Sequence, residues 1–66
     1  MELARAQRLK VKQTIHCPAD RGYPAGYGEV RGVGTQVSKT MTGKEYVWVT
    51  VKRSLHSEVW PSNRLG

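Results

Sequence analysis

Tyr46-Val47-Trp48-Val49-Thr50-Val51-Lys52 alternates with a period of two. In an extended strand that period sends Val47, Val49 and Val51 to one face and Tyr46, Trp48, Thr50 and Lys52 to the other. Valine at every second position is enough to seat a strand on an apolar core. Two aromatic rings and a cation on the opposite face are not needed for folding, so that face reads as a surface for binding.

Upstream, Leu9-Lys-Val-Lys-Gln-Thr-Ile-His16 puts Leu9, Val11 and Ile15 in phase and predicts a first strand over 9–16. Cys17 to Gly28 holds Pro18, Asp20, Gly22, Pro24, Gly26 and Gly28, and so predicts a long irregular loop. Glu29 to Val37 reads as a second strand interrupted by Gly32 and Gly34, a pattern for a bulge or sharp bend. A turn with its tip at Thr42-Gly43-Lys44 leads into the third strand, Tyr46 to Arg53. After a turn over Ser54 to Ser57, a fourth strand is expected at Glu58 to Trp60. A 3₁₀ turn at Pro61 to Asn63 and a last short strand at Arg64-Leu65 complete the chain. Residues 1–8 favour helix but are too few for a helix to persist alone, and are expected to form a frayed or single-turn basic arm. The sum is an all-β fold, a small five-stranded barrel over residues 9–66.

A chain of 66 residues makes one domain and buries only about 60% of the surface its unfolded form exposes. It has no Phe, so valines, a few leucines, Ile15 and one tryptophan must build the core. So small a body has no room for a deep enclosed active site of about 300 Å³ or more. Eleven Lys and Arg against five Asp and Glu give a charge of +6 and a pI near 10.0, which favours polyanionic partners. A single cysteine, Cys17, rules out an internal disulfide and points to a reducing, cytoplasmic setting. The N-terminal residues lack the apolar run of a signal peptide, and no stretch has the roughly 20 apolar residues of a membrane span.

The tail Glu58-Val-Trp-Pro-Ser-Asn-Arg-Leu65 resembles the closing segment of SH3 domains, where Pro-Ser-Asn forms a 3₁₀ turn into the final strand. The order of elements over about 9–66 is similar as well. This resemblance implies an SH3-like barrel. The Ala-Leu-Tyr-Asp-Tyr motif of the eukaryotic family is missing, however, the long loop carries Arg21 rather than an acidic run, and Arg64 stands where that family has Tyr. A positive surface repels the basic, proline-rich ligands of that family. The chain is closer to the SH3-like barrels of bacteria, phages and plasmids, which implies DNA, RNA or nucleic-acid machinery as partner. A fainter likeness, in Tyr46-Val47 and His56-Ser57-Glu58-Val59-Trp60-Pro61, is to type II dihydrofolate reductases, which build one pore from four subunits. Where those enzymes have Val-Gln-Ile-Tyr, this chain has Ser-Glu-Val-Trp.

The candidate nucleic-acid-binding residues follow from the aromatic-basic face. Trp48 and Tyr46 offer flat rings to bases, while Lys52, Lys10 and Lys12 offer cations to phosphates. Arg21, Tyr23 and Tyr27 sit in the glycine-rich loop, where the backbone can approach a ligand, and Arg31 and Lys44 extend the positive stripe. Two alternatives stay open: Trp48 also suits a protein or self-association contact, and the loop tyrosines also suit a role plugging the core. Trp60, before Pro61, is expected to be buried with a partner for its indole N–H. His16, Cys17 and His56 do not have zinc-site spacing, and adjacent His16 and Cys17 point to opposite faces, so neither a metal nor a catalytic pair is implied. The Gly-Val-Gly at 32–34 has no helix after it and does not make a phosphate loop. The expectation is a non-enzymatic binding module without cofactor.

Overall fold

The computed structural model describes residues 1–20, 22 and 24–65. It is a mostly β fold. A single helical turn, α1 (Leu3–Ala6), precedes six strands: β1 (Thr14–Cys17), β2 (Gly26–Val33), β3 (Ser38–Lys39), β4 (Glu45–Tyr46), β5 (Trp48–Arg53) and β6 (His56–Pro61), then a 3₁₀ turn at Ser62–Arg64. The strands form a four-stranded antiparallel sheet in the order β1-β2-β5-β6 and a separate hairpin of β3 and β4. The all-β reading holds. The expected five strands are six among the described residues, and their ladders do not close into a barrel.

The central valines behave as their spacing dictates. Val47, Val49 and Val51 are fully buried, and Val49 and Val51 pack with Ile15, Cys17, Val30, Trp60 and Leu65 in one apolar cluster. Burying a side chain of this size is worth about 1.5 to 3 kcal/mol, so this cluster is the main source of stability in so short a chain. The interruption foreseen at Gly32 is a bulge. Val30 stands opposite Val51 and Gly32 opposite Thr50, which leaves Arg31 as the extra residue.

Several boundaries differ from expectation, each for a physical reason. The first strand begins at Thr14, not Leu9. Gln13 N–H donates to Lys10 O at 3.1 Å, Lys10 N–H donates to Gln13 Oε1 at 3.2 Å, and Lys12 takes a φ of 78°, so the chain turns there. Val11 is consequently 57% exposed instead of facing the core. Cys17 belongs to β1 and Gly26 to Gly28 to β2, so the irregular stretch is shorter than read. Gly28 must be glycine, because a Cβ there would collide with Val51 Cγ1. The third strand divides at Val47, whose N–H donates to Ser62 Oγ (3.1 Å) and whose carbonyl accepts from Ser62 N–H (2.9 Å). This exchange pins the 3₁₀ turn to the sheet. The final strand expected at Arg64-Leu65 does not form. Leu65 is buried, and its carbonyl accepts from the Met1 ammonium nitrogen at 2.8 Å. In α1, Ala6 is fully buried. Among the described residues no helix is long and apolar enough to cross a membrane.

Candidate nucleic-acid interface

Strand parity divides the large sheet into two faces. Ile15, Cys17, Val30, Val49, Val51 and Trp60 turn inward, so Thr14, His16, Tyr27, Glu29, Trp48, Thr50, Lys52 and Val59 look outward. The outer face therefore presents aromatic rings and a lysine, as the alternation in β5 implies.

Trp48 is 46% exposed, and its ring meets Tyr46 edge-on with centroids 5.5 Å apart. Edge-to-face pairs at 4.5 to 7 Å are a favoured aromatic arrangement, so half-buried Tyr46 fixes the plane of the Trp48 ring. Across the sheet Tyr27 is 72% exposed, and its ring meets half-buried His16 edge-on at 5.2 Å. Of the two roles open to Tyr27, plugging the core does not occur.

The cations are more dispersed. Lys52 stands on the outer face opposite Glu29. Arg31, at the bulge, pairs with Glu29 at 3.4 Å. Lys10 and Lys12 are exposed in the turn before β1, with Lys12 N–H donating to Val30 O at 2.7 Å. Lys44 is exposed in the β3–β4 hairpin, outside the large sheet, in a turn where Gly43 has a φ of 85° and Lys44 N–H donates to Thr40 Oγ1. Arg21 and Tyr23 lie outside the described residues. The structure thus sets Tyr46 against Trp48, spreads Trp48, Lys52 and Tyr27 along one face of the sheet with Arg31 at the bulge of β2, and sets Lys44 on a different element.

Beside this face runs an open cavity of about 430 Å³ lined by Trp48, Val59, Trp60 and Pro61 together with Asp20, Glu58 and Arg64. Arg64 pairs with Asp20 at 3.7 Å and lies over the Trp60 ring, 5.2 Å from its centroid. Glu58 and Trp60 in its lining belong to a polar cluster that sequence reasoning missed. Trp60 Nε1–H donates to Glu58 Oε1 at 2.9 Å, His56 Nε2–H donates to Glu58 Oε2 at 2.8 Å, and Arg53 Nη1 lies 3.5 Å from Glu58 Oε1. Arg53 Nη2–H also donates to Pro24 O at 2.6 Å, which ties Pro24 to β5. The signal was the alternation of His56, Glu58 and Trp60 on one side of β6. Burial pushes the Glu58 carboxyl up, but the hydrogen bonds from Trp60 and His56 and the Arg53 charge outweigh it and hold the group below the usual glutamate value. Burial pushes the Cys17 thiol up, which keeps it protonated and inert. Among the described residues no three His, Cys, Asp or Glu are gathered so as to hold a metal ion.

No family model, curated protein or solved structure matches this chain.

Proposed function

We propose that this protein is a small basic binding module, an open SH3-like barrel without enzymatic activity, and that it binds nucleic acid through the outer face of its four-stranded sheet. The observation that carries this reading is Trp48, a ring braced by Tyr46 and left in solvent on the face that also bears Lys52, in a chain of net charge +6. The rings supply stacking and the cations supply phosphate contacts. The hairpin succession and the 3₁₀ turn after Pro61 support the SH3-like reading of the fold. The test is titration with short DNA and RNA at low salt. Binding should weaken as salt rises, and Trp48→Ala should weaken it further while leaving the fold intact. Absence of binding to any strand or duplex contradicts the reading.

A second reading has a specific observation behind it. The cavity that Trp48 helps to line combines apolar Val59, Trp60 and Pro61 with the Asp20–Arg64 ion pair, a lining suited to a protein segment or a second copy of the chain. Sedimentation separates the two: a stable oligomer that buries Trp48 favours assembly, and a monomer favours a ligand face.

A further inference from the structure

The two exposed rings are related by the sheet. Tyr27 lies two residues before Glu29 on β2, Glu29 stands opposite Lys52, and Lys52 lies four residues after Trp48 on β5. Because the strands are antiparallel, Tyr27 falls level with a position six residues from Trp48, which at about 3.3 Å per residue is about 20 Å away along the sheet. Lys52 lies between them. Each ring is braced in the same manner, Trp48 by Tyr46 with planes at 86° and Tyr27 by His16 with planes at 71°. Each edge contact favours one orientation of the exposed ring, which lowers the side-chain freedom to be lost on binding.

Resting on the nucleic-acid reading above, the geometry points to a single strand, not a duplex, as the ligand, held with one base on Trp48, another on Tyr27 and its backbone passing Lys52. A base inside a duplex has both faces covered by its neighbours, so only an unpaired base can lie flat on a side-chain ring. A four-stranded sheet spans about 14 Å between its outer strands, too broad for a major groove about 12 Å wide, and would meet a duplex only at its phosphates. The outer face is poorly built for that, since Glu29 stands opposite its lysine, Lys52, and also pairs with Arg31 at the bulge. Stacked nucleotides advance about 3.4 Å each, so about six reach from one ring to the other, and fewer do if the strand is stretched.

The test uses the whole protein and fluorescence anisotropy with oligothymidylate of eight nucleotides, alongside a duplex of the same length. The eight-nucleotide strand should bind at least about tenfold tighter than the duplex. Trp48→Ala and Tyr27→Ala should each weaken it by roughly five- to 150-fold, the range for loss of one stacked base. Tyr27→Phe, which keeps the ring, should retain affinity, and circular dichroism should show both Tyr27 variants folded. If the strand binds but Tyr27→Ala has no effect, or if the duplex binds more tightly, this inference fails and the nucleic-acid reading stands. If neither ligand binds, both fail.

Discussion

The two tryptophans occupy neighbouring strands, Trp48 opposite Pro61 and Trp60 opposite Val49, yet they serve opposite ends. Trp60 is 5% exposed, is packed on the valine core and gives its N–H to Glu58. Trp48, one residue out of phase, is held edge-on by Tyr46 and is 46% exposed. The residue type is the same, so the difference is one of strand phase. Position relative to the alternating valines buries one indole in the core and leaves the other half exposed on the outer face, where the proposed ligand would meet it.

The contrast can be broken most severely at Trp60. Trp60→Ala removes the largest core side chain and leaves a cavity, at a cost of about 3 to 5 kcal/mol. In a domain this small that should abolish the cooperative thermal transition followed by circular dichroism. A variant that melts like the parent would mean the core does not depend on Trp60. Next comes the base of the same pocket. Glu58→Ala strips Trp60 of its acceptor and should cost about 1 to 3 kcal/mol in urea unfolding. The carboxyl also sets a pH dependence. Its folded-state pKa lies below the ordinary 4.5, so its contribution is complete above that value and is lost as pH falls through the lower folded-state value. Stability of the parent should fall on acidification below 4.5 more steeply than that of Glu58→Gln. Equal slopes would show that the cluster does not favour the ionised form.

Gly28→Ala sharpens the comparison from the inner face. Its Cβ would meet Val51 Cγ1 and approach Lys52 O to 3.1 Å, so overpacking of about 1 to 3 kcal/mol is expected in chemical denaturation. The smallest structural effect belongs to Trp48→Ala, which gives up the contact with Tyr46, worth about 0.5 to 1.5 kcal/mol, and should leave a sharp transition. A loss as large as that from Trp60→Ala would erase the distinction between the two indoles.

How far the sequence revealed this arrangement depends on the range of the interactions involved. The phase of Val47, Val49 and Val51, the outward direction of Trp48 and Lys52, the irregularity at Gly32 and the burial of Trp60 are local patterns and were legible. The turn at Lys10 to Gln13 was not, since it contains none of Gly, Pro, Asn or Asp and is set by Lys12 taking a left-handed conformation. The break at Val47 depends on Ser62, which is distant in the chain. The same holds for the candidate site. Tyr27 and His16 were each visible as residues, but their contact follows from the β1–β2 register, and no local pattern places His16 opposite Tyr27. The Glu58 cluster escaped notice because β6 extends back to His56, beyond the expected start at Glu58.

The central claim, that the outer face of the sheet and not its valine side or its bordering cavity receives the ligand, is tested most directly by an amide and indole NMR shift map during titration with an eight-nucleotide strand. The account predicts that the Trp48 indole and the amides of Tyr27, Thr50 and Lys52 shift together and saturate at one equivalent, while Val30 and the turn at Gly43 and Lys44 stay in place. Shifts confined to Asp20, Trp60 and Arg64, or none at all, would contradict it.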